Sequence, residues 1–212
     1  MLVRIVKMRG VDLTVFDFDY DLTWAAFFMN ANGFTYSRYG SREEGSPEKG
    51  LSLKGLKYTM QKSLAAYASQ PTAKLKRPVK SANNFPSKPE LFPAGKRLKK
   101  DACIHCHQVH NFQTDLLWST RRWSKKRMWF YPPTRTLGFQ LSLDQGDKIK
   151  SVTPKSAAAK LGLKAGDVFT SVNGVTTSSE ADVRYGLHRA PESGNIPLTW
   201  TRNGQAIAGK IS

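Results

Sequence analysis

An α/β segment joined to a mainly β module is the architecture encoded in this 212-residue chain, and three observations lead to it. Short apolar runs separated by turn residues occupy the chain up to Gly40, and a stretch with helical spacing follows. A Pro- and Lys-rich region interrupts the pattern. From Tyr131 onward, short apolar runs alternate with Gly and Asn-Gly turns to the end. With 40% hydrophobic residues the chain can bury one medium core or two small ones. The expected divisions are residues 1–66, 67–130 and 131–212.

Within the first division, Val3 to Met8, Leu13 to Phe18, Trp24 to Met29 and Phe34 to Tyr39 read as strands. Asn30-Ala31-Asn32-Gly33 lies between the last two, and Asn-Gly between apolar runs is a hairpin signal. Ser52 is placed to cap a helix whose Leu53, Leu56, Met60 and Leu64, spaced by three and four, define an apolar face. A sheet covered on one face by a closing helix is the arrangement expected.

Between the two folded ends, Gln70 to Lys100 holds Pro71, Pro78, Pro86, Pro89 and Pro93, which suits an extended, semi-rigid connector. Pro71 to Lys100 carries nine basic residues against Glu90 alone, and Arg121 to Arg127 adds five more beside Trp118, Trp123 and Trp129. The whole chain has a net charge of +17, which favours an anionic partner. Basic residues interleaved with aromatics suit nucleic acid. With no accompanying nucleic-acid module, a solvated linker held by its tryptophans is the preferred reading.

The connector leads to Cys103-Ile104-His105-Cys106-His107, which contains both cysteines of the chain. This C-x-x-C-H spacing is the attachment pattern of c-type haem: two thiols bond the vinyl groups and His107 ligates the iron. Met128 is the candidate distal ligand. The same atoms also fit a dithiol or disulfide, or a zinc site completed by His105, His107 or His110. A helix over Asp101 to Leu117 would place Cys103, Cys106, His107 and His110 on adjoining faces. Haem c attachment takes place outside the cytoplasm, so the haem reading implies a periplasmic or otherwise exported protein. Met1 to Gly10, interrupted by Arg4, Lys7 and Arg9, does not read as a signal peptide. No run of about 18 apolar residues is present to span a membrane.

In the third division, Thr136-Leu137-Gly138-Phe139 would turn backbone N–H groups toward a peptide carboxylate, and the strand continuing through Leu141 would offer an edge. A helix from Ser179 to about Arg189, containing Val183, Gly186 and Leu187, would form the opposite wall. Val183 and Leu187 equally suit core packing. His188 reads as a helix C-terminal cap or surface residue. Asn173-Gly174 calls for a positive-φ turn. No serine, histidine and carboxylate occur at a recognisable protease spacing.

Two resemblances add to this reading. The run Phe16-Asp17-Phe18-Asp19-Tyr20-Asp21-Leu22-Thr23-Trp24-Ala25-Ala26-Phe27-Phe28-Met29-Asn30, with Gly33, Tyr36 and Arg38-Tyr39-Gly40, resembles the thioredoxin-like half of thioredoxin/PDZ two-module proteins of planctomycete-type bacteria. Ser156-Ala157-Ala158-Ala159, Gly162 to Asp167, Val172-Asn173-Gly174 and Leu187 to Pro191 resemble a bacterial PDZ domain. The resemblance implies a partial thioredoxin-like domain, a basic linker carrying the cysteine motif, and a PDZ domain that docks C-terminal peptides through Leu137, Gly138, Phe139, Leu141, Val183 and Leu187. Residues 1–66 contain no cysteine, so the thioredoxin active-site thiols are absent from this stretch. The expectation is an exported, redox-linked binding protein, with a PDZ scaffold whose cysteines form a disulfide, dithiol or zinc site as the alternative.

Overall fold

The computed structural model describes residues 1–22, 24–40, 50–74, 85–125, 130–191 and 193–212. Two compact units result: Met1–Leu22 groups with Leu75–Met128, and Thr23–Lys74 groups with Trp129–Ser212. This grouping departs from the divisions read at residues 66 and 130.

In the first unit, the runs expected as strands at Val3 to Met8 and Leu13 to Phe18 are irregular. Their side chains explain why. Val3 and Val6 are each 63% exposed, whereas Met8 and Leu13 enter a cluster with Phe92, Ile104, Val109 and Phe112. The Met8 N–H donates to Ile104 O at 2.7 Å and the Leu13 N–H to Ser87 O at 2.8 Å, so these donors serve single contacts and form no ladder. The connector region also folds. A 3-10 turn at Pro89–Leu91 leads into α2 (Pro93–Lys96), and Phe92 between them is fully buried. Proline at the first helical position needs no amide partner, which lets both turns start at prolines. The expected helix over Asp101 to Leu117 is displaced: α3 runs over Cys106–Ser119. His105, the residue before it, is extended and donates its N–H to Gln108 Oε1 at 2.8 Å.

The second unit begins with the expected hairpin, β1 (Ala26–Met29) and β2 (Thr35–Tyr39), followed by α1 (Leu53–Ser69). Where a thioredoxin-like sheet is expected over residues 1–66, the described residues form one two-stranded hairpin followed by α1. Ser52 caps α1, accepting from the Gly55 N–H at 2.8 Å. The inward face of α1 is rotated away from the one read from periodicity, with Leu56 half-buried at its edge. Leu53, Met60 and Leu64 are 76%, 43% and 65% exposed, while Gly55, Thr59 and Ser63 are buried. A Cβ on Gly55 would lie 2.4 Å from Leu143 O, so α1 approaches its neighbour too closely for a larger side chain.

The rest of the unit is built from β3 (Phe139–Leu141), β4 (Ile149–Val152), α4 (Ala157–Lys160), β5 (Val168–Val172), β6 (Val175–Thr176), α5 (Glu180–His188), β7 (Ile196–Arg202) and β8 (Gln205–Ile211). β3 pairs with β4, and a second antiparallel sheet has the order β6-β5-β7-β8. A bridge between Lys148 and Val168 joins them. Phe139, Ile149, Phe169, Val183, Leu198 and Trp200 meet in one core. Asn173 and Gly174 both have positive φ, 50° and 76°, as the two-residue turn between β5 and β6 requires.

Asp167, 1% exposed, accepts from Arg202 Nε at 2.7 Å and Nη2 at 2.8 Å, and from the Lys164 N–H at 2.9 Å. Burial alone would raise its pKa, but these bonds outweigh it and hold the carboxyl below its ordinary range. Its stabilising contribution is therefore present above the ordinary carboxylate pKa and lost as pH falls through the depressed value. Asp167→Asn is expected to cost about 1 kcal/mol at neutral pH and to flatten the acid limb of a stability-versus-pH curve. An unchanged acid limb in urea titrations would refute this.

Candidate peptide-docking groove and the cysteine motif

Among the described residues β3 pairs with β4 alone. Gly138 O accepts from the Thr153 N–H at 2.8 Å and the Ser142 N–H donates to Lys148 O at 2.8 Å, so the even-numbered residues face β4. Strand alternation turns the N–H and C=O of Phe139 and Leu141 to the opposite edge.

α5 is tied to the β3 hairpin region at both of its ends. At one end, Gly146 in the β3–β4 turn lies against Ser179 and Glu180. At the other, Arg184 of α5 donates from Nε at 2.9 Å and Nη2 at 2.5 Å to Tyr131 O. The Tyr131 ring stacks on His188 at 4.2 Å. Tyr131 leads into the 3-10 turn Thr134–Leu137, which Gly138 ends with φ 87°. α5 therefore runs antiparallel to β3, and the turn before β3 sits beside its C-terminal half.

The six residues expected to bind peptide divide into three groups. Phe139, Val183 and Leu187 are 2%, 0% and 6% exposed, and their side chains belong to the core. Leu137 and Leu141 are half-buried against that core and line its edge. Gly138 has a packing role: a Cβ there would sit 2.1 Å from Ser156 Cβ, and its N–H donates to Arg135 O at 3.0 Å. The donors expected to cradle a carboxylate thus exclude the Gly138 N–H, while the Phe139 N–H faces the open edge. Arg184 and Tyr131 were not apparent from sequence spacing, because their contact links positions 53 residues apart. His188, expected as a cap or surface residue, is half-buried under Tyr131.

A buried network joins α5 to β2. Asp182, 1% exposed, accepts from Ser37 Oγ at 2.6 Å, the Arg38 N–H at 2.9 Å and the Ser178 N–H and Oγ at 3.2 Å each. The Arg38 guanidinium lies 3.6 Å from the Tyr185 ring centroid, a cation–π distance. α1 approaches the β3–β4 turn through Tyr58, whose hydroxyl donates to Asp147 at 3.0 Å, with Lys62 3.7 Å from the same carboxylate. Burial, followed by the Asp147 charge, pushes the Tyr58 pKa up to about 12. Burial also raises Asp147, against the opposing pull of Lys62.

The cysteine motif belongs to the first unit and straddles the start of α3. Both cysteines are free thiols. Cys103 is exposed, while Cys106 is half-buried beside the Phe92 cluster with its Sγ 3.5 Å from Leu22 O. His107 is exposed and its ring is parallel to that of His105, 5.8 Å away. His110 Nδ1 is 3.0 Å from Asp21. The Cys106 sulfur and the His107 ring therefore lie in different surroundings, one against the core and one in solvent. No group of three His, Cys, Asp or Glu side chains converges on a metal-sized point among the described residues. Met128, the candidate distal ligand, lies outside the described residues. In the basic segment, Trp118 and Trp123 stack at 4.4 Å.

Residues 148–202 match the PDZ domain family. They form a PDZ domain similar to those of DegP-type proteins. A probable periplasmic serine protease, do/HhoA-like, from Haemophilus influenzae is 43% identical over 68 residues, 32% of this chain and 15% of that protein. Periplasmic serine endoprotease DegP of Salmonella typhimurium is 41% identical over 68 residues, 32% of this chain and 14% of that protein. Periplasmic pH-dependent serine endoprotease DegQ of Escherichia coli is 32% identical over 74 residues, 35% of this chain and 16% of its own length. A crystal structure of the serine endoprotease from Yersinia pestis aligns with TM-score 0.34 and 23% identity over 52% of this chain and 36% of that one. Among the described residues no helix is long and apolar enough to cross a membrane.

Proposed function

We propose that this protein is a peptide-docking protein whose PDZ domain binds the C-terminal tail of a partner as an added strand on β3, with α5 as the second wall. The open edge at Phe139 and Leu141 beside α5 is the observation that carries this reading. The likeness to the PDZ portion of DegP-type proteins supports it and favours an exported location. We read the hairpin and α1 as the closing part of a thioredoxin-like half, a reading supported by their order and used here to brace α5. Lys96, Lys99, Lys100, Arg121 and Lys125 are exposed in the other unit and suit an anionic partner.

Free-carboxylate peptides that bind the full chain are expected to lose at least about tenfold in affinity, roughly 1.4 kcal/mol, when amidated. Fluorescence polarisation reads this directly. Equal affinity of acid and amide forms rejects C-terminal docking.

For the cysteine motif the geometry favours the dithiol alternative over covalent haem, because Cys106 faces the core and His107 faces solvent. After export beside haem c maturation machinery, the intact mass is expected to remain that of the apoprotein. A gain of about 616 Da, one haem, overturns the dithiol reading. About one equivalent of bound zinc at the unmodified mass would overturn it in favour of a metal site.

A further inference from the structure

The four-stranded sheet has two edges, and they differ. β6 forms one with only Val175–Thr176. β8 forms the other over seven residues, Gln205–Ile211, and among the described residues it pairs with β7 alone. Its register with β7 runs without a shift from Arg202 opposite Gln205 to Ile196 opposite Ile211, so no bulge bends it away. It contains no proline and a single charged residue, Lys210. Sheet edges are ordinarily protected by brevity, bulges, proline or several charges, and β8 shows none of the first three.

The turn before β8 decides which of its backbone groups are open. Asn203 and Gly204, both at positive φ, make a two-residue hairpin loop, so Arg202 and Gln205 form the first hydrogen-bonded pair. Ladder bonds to β7 then fall at Gln205, Ile207, Gly209 and Ile211. The Asn173 N–H, which donates to Pro197 O at 2.8 Å, agrees with this phase, because it turns the odd-numbered residues of β7 toward β5. The N–H and C=O of Ala206, Ala208 and Lys210 therefore point off the sheet. Their side chains are exposed, and these backbone groups have no partner strand among the described residues.

We propose that β8 pairs antiparallel with β8 of a second copy of this chain, in a two-fold dimer that joins the two four-stranded sheets into one. The strand is complementary to itself in one register. With the axis at Ala208, that residue lies opposite its own counterpart and Ala206 lies opposite Lys210, so the open groups of both strands all find partners. The alanines are small enough to meet, and each Lys210 faces an alanine and not a like charge. This match of the strand with itself favours a second copy over a foreign strand. The net charge of +17 opposes association at long range and not within the interface, so salt favours the dimer.

Sedimentation equilibrium of the full chain at about 0.3 M salt is expected to show monomer and dimer exchanging with a dissociation constant of about 10 μM. A monomer throughout, up to about 100 μM, overturns the proposal and leaves the edge to a different partner. Two acidic substitutions separate this register from a general loss of positive charge. Ala206→Glu places a carboxylate opposite Lys210 and is expected to tighten the dimer about threefold. Ala208→Glu sets two carboxylates face to face at the axis and is expected to weaken it about tenfold. Both positions are exposed in the monomer, so both variants are expected to keep the wild-type midpoint of urea unfolding at dilutions where the monomer prevails. The net charge changes equally in the two. If their shifts share a sign, or neither shifts, the copies meet elsewhere and pairing through β8 is overturned.

Discussion

Replacing Asp182 with alanine is expected to destabilise the C-terminal unit by about 3–5 kcal/mol, the range for removing one partner from a buried, charge-containing network. The carboxylate is 1% exposed and collects donors from Ser37, Arg38 and Ser178. Truncation leaves the Arg38 N–H of β2 and the Ser178 N–H just ahead of α5 without this acceptor, while the buried Ser37 and Ser178 hydroxyls keep only their bonds to Arg38 O and Ser37 Oγ. The negative charge is a weaker contributor than the acceptor oxygens. Burial raises the Asp182 pKa, with Arg38 and the hydrogen bonds pulling it partly back, so the folded state disfavours the ionised form. A raised folded-state pKa gives a contribution fully present below the ordinary carboxylate value and lost as pH rises through the raised one. Asp182→Asn retains one acceptor oxygen and has no charge to bury. It is therefore expected to lose only about 1–2 kcal/mol and to abolish that pH dependence. Hydrogen exchange of the β7 amides in the full chain measures both variants. An alanine variant within about 1 kcal/mol of wild type would mean that β2 does not depend on this contact.

What the sequence revealed of the fold depended on how local each signal was. Asn173-Gly174, the cap at Ser52 and the helix read from Ser179 lie in short segments whose chemistry acts over a few residues, and they appear where expected. The inward face of α1 was hidden because Gly55, Thr59 and Ser63 are buried through close approach and hydrogen bonding, which apolar periodicity does not register. The N-terminal runs have strand composition, yet Met8 finds its partner at Ile104, a pairing that no local pattern encodes. In the candidate groove, the apolar positions were legible as a set. Their division between core and edge was not, because it depends on where β4 and α5 pack. The contacts of Gly146 with the start of α5, and those made by Arg184 and Asp182, likewise arise only after distant segments meet.

Gly186→Ala is expected to destabilise the same unit by about 2–3 kcal/mol, although helix propensity alone predicts a gain of about 1 kcal/mol. The outcome is decided by what the added methyl would meet. A Cβ at position 186 would lie 2.5 Å from Val172 O and 2.9 Å from Val172 Cβ. Val172 sits in β5, whose backbone pairs with β6 on one side and β7 on the other, so the carbonyl is not free to retreat. α5 must move instead. Such a shift loosens Val183 and Leu187 from the core and pulls the helix wall away from β3. Peptide affinity is therefore expected to fall together with stability, by about tenfold or more. Urea unfolding of the full chain and polarisation with a free-carboxylate peptide test the two effects separately. A more stable variant would mean that helix propensity outweighs this contact and that α5 can shift on β5 at little cost.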